Sequence, residues 1–114
     1  MEIDFFVVGS NQVWNLYFGG YLYEFLTFAA KDKCFSFAAS IGKNQIPENQ
    51  KSYFKKYLSE MNFISVRENK VAETVKELIG RDVDDVLDPT LLLPKEQWIE
   101  IVSKPNIEIK KNYI

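Results

Sequence analysis

The sequence predicts an α/β domain built on a parallel sheet, of the doubly wound class. Two observations carry this. A short, continuously apolar run, FFVV at 5–8, suits a strand that is covered on both faces and needs no polar alternation, and KCFSFAA at 33–39 repeats the theme. Later in the chain the apolar spacing becomes helical, so strands and helices alternate, as parallel strands joined by right-handed crossovers require. The 114 residues fit one small domain with a moderate core.

The elements follow in order. After the strand at 5–8 comes GSNQVWN, in which Gly9 ends the run and an indole and several amides crowd into a few positions. LYFGGYLYEFL is interrupted by Gly19-Gly20, which predicts irregular chain with a short extended piece near Leu22 to Phe25. KCFSFAA at 33–39 is the second strand, ending at Ser40 and the turn residue Gly42. From Pro47 onward, Tyr53, Phe54, Tyr57, Leu58 and Met61 fall at helical spacing, with Pro suited to a first turn. FISV at 63–66 is the third strand. Val71, Val75, Leu78 and Ile79 then mark a helix over about 68–79, with Gly80 as its stop. DDVL at 84–87 is a short fourth strand closed by Asp88-Pro89, and a third helix starts near Pro94 and carries Trp98, Ile101 and Val102. The tail KPNIEIKKNYI reads as a linker, which puts the domain at 1–104 and the linker at 105–114.

Composition excludes several classes of function. The formal net charge is −2, so no cationic field draws the chain to nucleic acid. Lys51, Lys55 and Lys56 cluster, but Glu48 and Glu60 stand beside them, as on a solvated helix face. The single cysteine, Cys34, has no partner for an internal disulfide and lies in an apolar run, as a buried small hydrophobe does. Histidine is absent, which removes the commonest general base and the commonest zinc ligand. No metal or cofactor is expected. Glu24 breaks the apolar stretch at 16–30, which is too short to span a bilayer, and the expectation is a cytoplasmic protein.

Ligands of open parallel sheets bind beyond the carboxyl ends of the strands. The first strand delivers Ser10, Asn11, Gln12, Trp14 and Asn15, and the second Ser40 and Gly42. The third delivers Ser65, Arg67 and Glu68, and the fourth Asp88-Pro89-Thr90. Each has a plainer reading. Ser10 and Asn11 turn chains by bonding to backbone, Trp14 could lid the core, and Arg67 could sit in a surface ion pair. Glu68 could favour a helix N-terminus, and Asp88-Pro89 could end a strand. Together they suit a phosphorylated or hydroxyl-rich ligand. Arg67 offers a planar fork for carboxylate or phosphate, and the N–H groups of the following helix add to it.

Four linked stretches, DFFVVGSNQVWN, FSFAASIG, FISVRE and VLDPTLLL with a following Trp98, resemble the polysaccharide pyruvyl transferase family in order and spacing. The resemblance runs from Asp4 to about Trp98. It implies an enzyme that moves the pyruvyl unit of phosphoenolpyruvate onto a sugar of a cell-surface or exopolysaccharide, as a ketal. It also implies a Rossmann-like three-layer domain, here the incomplete half of a two-domain glycosyltransferase-B-like fold. By motif position Arg67 takes the donor anion, while Ser10, Asn11, Gln12, Trp14, Ser40, Glu68 and Asp88 line the donor and substrate cleft; no catalytic residue is assigned. The family usually has GSDQ where this chain has GSNQ, so Asn11 stands in place of a carboxylate. A second domain with a histidine is expected in the complete enzyme, so the segment alone is expected to be inactive. A homodimer through exposed apolar surface is expected as well. Two rival readings remain: a noncatalytic, self-associating α/β module, and half of a nucleotide-sugar glycosyltransferase.

Overall fold

The computed structural model describes residues 2–17 and 21–103. Gly19-Gly20 and the expected linker at 105–114 lie outside the described residues.

Four parallel strands form one sheet in the order β1 (Phe6–Val8), β2 (Cys34–Ala39), β3 (Phe63–Val66) and β4 (Asp84–Asp85). Helix α1 (Lys51–Leu58) joins β2 to β3, and α2 (Asn69–Ile79) joins β3 to β4. Helix α3 (Lys95–Ile101) follows β4. The fold is α/β, consistent with a Rossmann-like half domain. Because strand order follows sequence order, right-handed crossovers put α1 and α2 on the same face, where they pack against each other.

That face holds the core. Phe54 and Leu58 of α1 and Val71, Ala72 and Val75 of α2 close on Cys34, Ile64 and Val66 of the sheet. The segment between β1 and β2 adds Trp14, Phe25 and Leu26. Trp14 stacks on Phe25 with ring centroids 5.6 Å apart, and Phe54 and Tyr53 meet Phe25 edge-on. Burial pushes the Cys34 thiol pKa up, and Sγ donates to Ala30 O at 3.2 Å. On the opposite face Phe5, Val7, Phe35, Phe37 and Phe63 line an apolar depression of about 310 Å³. Phe5 and Val7 are 64% and 63% exposed there.

Three elements differ from expectation. Residues Leu22–Phe25 form a 3₁₀ turn where an extended piece was expected. The Glu24 carboxylate accepts from Tyr21 N at 3.0 Å and Glu24 O accepts the Trp14 indole at 3.0 Å, so the chain winds tightly to bring Phe25 onto Trp14. The helix after Pro47 opens as a 3₁₀ turn at Glu48–Gln50, and its α part ends at Leu58, three residues short of Met61. Arg81 donates to the carbonyls of Leu58, Met61 and Asn62 and so satisfies this end from another element. Strand β4 is two residues long, because Pro89 turns the chain soon after Val86 N bonds Val66 O at 2.9 Å. The remaining elements stand within about a residue of expectation, with Gly80 ending α2. Among the described residues no helix is long and apolar enough to cross a membrane.

Strand β2 carries a bulge. Its register to β3 shifts between Ser36 and Ala39, and Ala38 has φ +50°. Serines satisfy the backbone that the shift displaces. Ser65 Oγ accepts from Ala38 N at 3.1 Å and donates to Ser36 O at 3.0 Å, and Ser36 Oγ accepts from Ser65 N at 3.1 Å. Each of these groups is buried, so each would be costly to leave unpaired.

Candidate site at the carboxyl edge of the sheet

The loop after β1 is held by backbone first. Ser40 N donates to Asn11 O at 3.3 Å and Trp14 N donates to Ser40 O at 3.1 Å, so the ends of β1 and β2 are tied together. Gly9 lies against Phe37, where a Cβ would stand 1.9 Å from the carbonyl oxygen. Its φ of +145° is one that side chains rarely adopt.

The amides of this loop largely serve one another. Asn11 Oδ1 accepts from Gln12 N at 2.8 Å, Gln12 Oε1 from Asn15 Nδ2 at 2.9 Å, and Asn15 Oδ1 from Tyr17 N at 3.2 Å. Asn15 is buried, whereas Asn11 and Gln12 are exposed and border an open depression of about 500 Å³ with Val13 and Glu24. Ser10 is half-buried beside them. Trp14 is fully buried, which matches its plainer reading as a core residue. Its indole faces Phe25, Phe54 and Glu24 O and offers no ring to solvent.

The second and third strand ends meet directly. Arg67 N donates to Ala39 O at 3.1 Å. The buried Ser40 hydroxyl donates to Glu68 Oε1 and accepts from Gly42 N at 2.9 Å. Glu68 caps α2 through its carbonyl, which accepts from Val71 N and Ala72 N. Its other carboxylate oxygen, Oε2, is buried and has no donor among the described residues. Beside it Asn44, Asn69 and Lys70 border a second depression of about 390 Å³. The sequence did not point to these three, since polar residues in a loop and a first helical turn carry no local signal of a site.

The fourth strand end joins through charge. Arg67 Nη1 pairs with Asp88 Oδ2, both side chains being about a quarter exposed. Asp88 Oδ1 accepts from Thr90 N at 3.0 Å and Thr90 Oγ1 at 2.8 Å. The Thr90 backbone bond, then its hydroxyl and Arg67, hold the Asp88 carboxyl below its ordinary range. Both Asp88 oxygens are thus engaged within the protein. Among the described residues no group of three or more His, Cys, Asp or Glu side chains could hold a metal ion.

Ser40 with Glu68 and Arg67 with Asp88 therefore form two hydrogen-bonded pairs at adjoining strand ends, with Asn11 and Gln12 on the neighbouring loop. The family model of polysaccharide pyruvyl transferase matches residues 2–114. The chain belongs to that family. Comparison with curated proteins and with solved structures finds no match. The Arg67-Glu68 pair at the end of β3 and Asp88 at the end of β4 thus stand in a polysaccharide pyruvyl transferase chain, on the sheet edge where α/β proteins take ligands.

Proposed function

We propose that this chain forms one wall of the cleft in which a polysaccharide pyruvyl transferase moves pyruvate from phosphoenolpyruvate to a saccharide as a ketal. The supporting observation is the convergence of Arg67, Glu68, Ser40 and the Asn11–Gln12 loop at the carboxyl edge of the parallel sheet, within a chain of that family. In this reading Arg67 takes the donor's phosphate or carboxylate, because its fork offers paired N–H donors and only Nη1 is bound to Asp88. Asn11, Gln12, Ser10 and the Ser40–Glu68 pair face the saccharide hydroxyls. Trp14 has no part in the cleft. The opposite wall belongs to a second Rossmann-like half, in a glycosyltransferase-B-like arrangement that builds exopolysaccharide units in the cytoplasm.

The test is a titration of the chain with phosphoenolpyruvate and, separately, with nucleotide sugars, followed by backbone amide NMR. Phosphoenolpyruvate should move the amides of residues 67–70, and Arg67→Ala should abolish the shift. A response to nucleotide sugars alone would favour the glycosyltransferase reading. No response to either, with pyruvyl transfer intact in an Arg67→Ala enzyme, would mean that this sheet edge takes no part in the reaction.

The partner for the bare sheet face is a second copy of the chain. Phe5, Val7, Phe37 and Phe63 are all exposed there, and a parallel sheet needs both faces covered. Together they offer on the order of 400 Å² per copy, against roughly 800 Å² in a stable interface. The homodimer is accordingly weak and concentration-dependent. Sedimentation should show it dissociate on dilution and fail to form in Val7→Lys, whereas a clean monomer at high concentration would count against it.

A further inference from the structure

The Arg67 guanidinium is the end of a longer chain of contacts. Its Nη1 meets Asp88 Oδ2, and Asp88 Oδ1 is held by the N–H and hydroxyl of Thr90. The Thr90 carbonyl in turn accepts the Trp98 indole N–H at 2.9 Å. Thr90 sits in the 3₁₀ turn Pro89–Leu91, which Asp88 caps, and Trp98 sits on α3. Helix α3 has no buried residue among those described, and Ile99 and Ile101 are exposed. Its directed polar contact therefore runs to the turn that holds Asp88, while the core is built without it.

We propose that Thr90 and Trp98 are positioning residues for Arg67. The indole fixes the Pro89–Leu91 turn, the turn orients the Asp88 carboxylate, and the carboxylate holds the guanidinium by one nitrogen. A guanidinium pinned in this way keeps its other N–H donors in one plane, so less rotational freedom is lost when an anion binds. Nothing in Thr90 or Trp98 touches the anion. Their effect reaches it through Asp88 and Arg67. The inference rests on the reading of Arg67 as the ligand of the donor's anionic group.

The experiment pairs a free-state signature with a binding measurement on the whole chain. In ¹⁵N NMR a pinned guanidinium shows a resolved, slowly exchanging Arg67 Nε–H with restricted rotation about its Cζ–Nε bond. Wild type should show this signature. Trp98→Phe and Thr90→Val should lose it and bind phosphoenolpyruvate about fivefold more weakly, the equivalent of one neutral hydrogen bond. Thr90→Ser keeps both donors to Asp88 and should restore the wild-type signal and affinity. If Arg67→Ala abolishes binding while Trp98→Phe and Thr90→Val keep the wild-type signal and affinity, the inference is overturned and the donor reading stands. If Arg67→Ala binds like wild type, the donor reading fails instead. Since α3 contributes no buried side chain, thermal unfolding of Trp98→Phe should match wild type, and the Thr90→Ser and Thr90→Val pair answers the question without it.

Discussion

Replacing Trp14 by phenylalanine should destabilise the domain by about 2 kcal/mol and leave ligand binding unchanged. The indole is fully buried, stacked at 5.6 Å on Phe25 and edge-on to Phe54, with Nε1 bonded to Glu24 O at 3.0 Å. Phenylalanine keeps a six-membered ring against Phe25 but vacates roughly 40 Å³, which costs about 1 kcal/mol at ~24 cal/mol per Å³. The Glu24 carbonyl, part-buried and without its donor, adds about 1 kcal/mol. For a domain of this size the sum lowers Tm by roughly 10 °C. Urea unfolding followed by far-UV circular dichroism gives the stability directly, since the probe does not depend on the indole removed. Titration with phosphoenolpyruvate and with a neutral saccharide gives the other half of the answer. An unchanged urea midpoint together with weakened saccharide binding would refute the reasoning, because it would mean that the indole meets the ligand and not Phe25.

Three further predictions test the frame around the site. Ser65→Ala removes the hydroxyl that serves Ala38 N and Ser36 O, so two buried backbone groups lose a partner and stability should fall by about 2 kcal/mol in the same urea assay. Gly9→Ala places a Cβ 1.9 Å from Phe37 O at a φ of +145°, and the strained β1–β2 junction should lower the melting temperature clearly, with the loss visible in amide exchange at Ser40. Asp88 has its carboxyl pKa lowered, chiefly by the Thr90 N–H, so its contribution to stability is complete above the unfolded value near ~3.9 and is lost as pH falls through the lower folded value. Carbon-detected titration of the Asp88 carboxyl should therefore show it ionised throughout the neutral range, and the Arg67 guanidinium signature should persist to below about pH 4.

The strands and the main helices were legible because each is written in its own residues. FISV is a run of four apolar or small groups and is β3 at those four positions. Helix α2 shows its buried stripe at Val71 and Val75 and stops at Gly80, which has φ +72°. What was not legible depends on residues far apart in sequence. The shape of Leu22–Phe25 is set by Trp14, ten positions before Glu24, and the end of α1 is satisfied by Arg81. The role of Asp88 is the clearest case. As Asp-Pro it reads as a strand breaker, and it does cap the turn, but its other oxygen meets Arg67 across 21 positions of chain. The Asx-type spacing to Thr90 was a readable sign of the cap, and nothing local signalled the guanidinium.

The bulge in β2 decides how the end of that strand meets the end of β3. Before it, Ser36 stands opposite Ile64; after it, Ala39 stands opposite Val66, so the pairing has slipped by one residue. In a strand a one-residue slip sends every later side chain to the other face. With an unbroken register Ser40 would stand opposite Glu68 itself, one residue further along the chain, and the Arg67 N–H would no longer fall on Ala39 O. The slip is held by a left-handed Ala38, a conformation that costs about 1–3 kcal/mol, and by the hydroxyls of Ser36 and Ser65 that receive the displaced backbone groups. A buried pair of serines in two otherwise apolar strands thus has a function that reaches the sheet edge. It sets the register that lets the end of β2 meet the Arg67-Glu68 pair at the end of β3, and so joins two strand ends into one site.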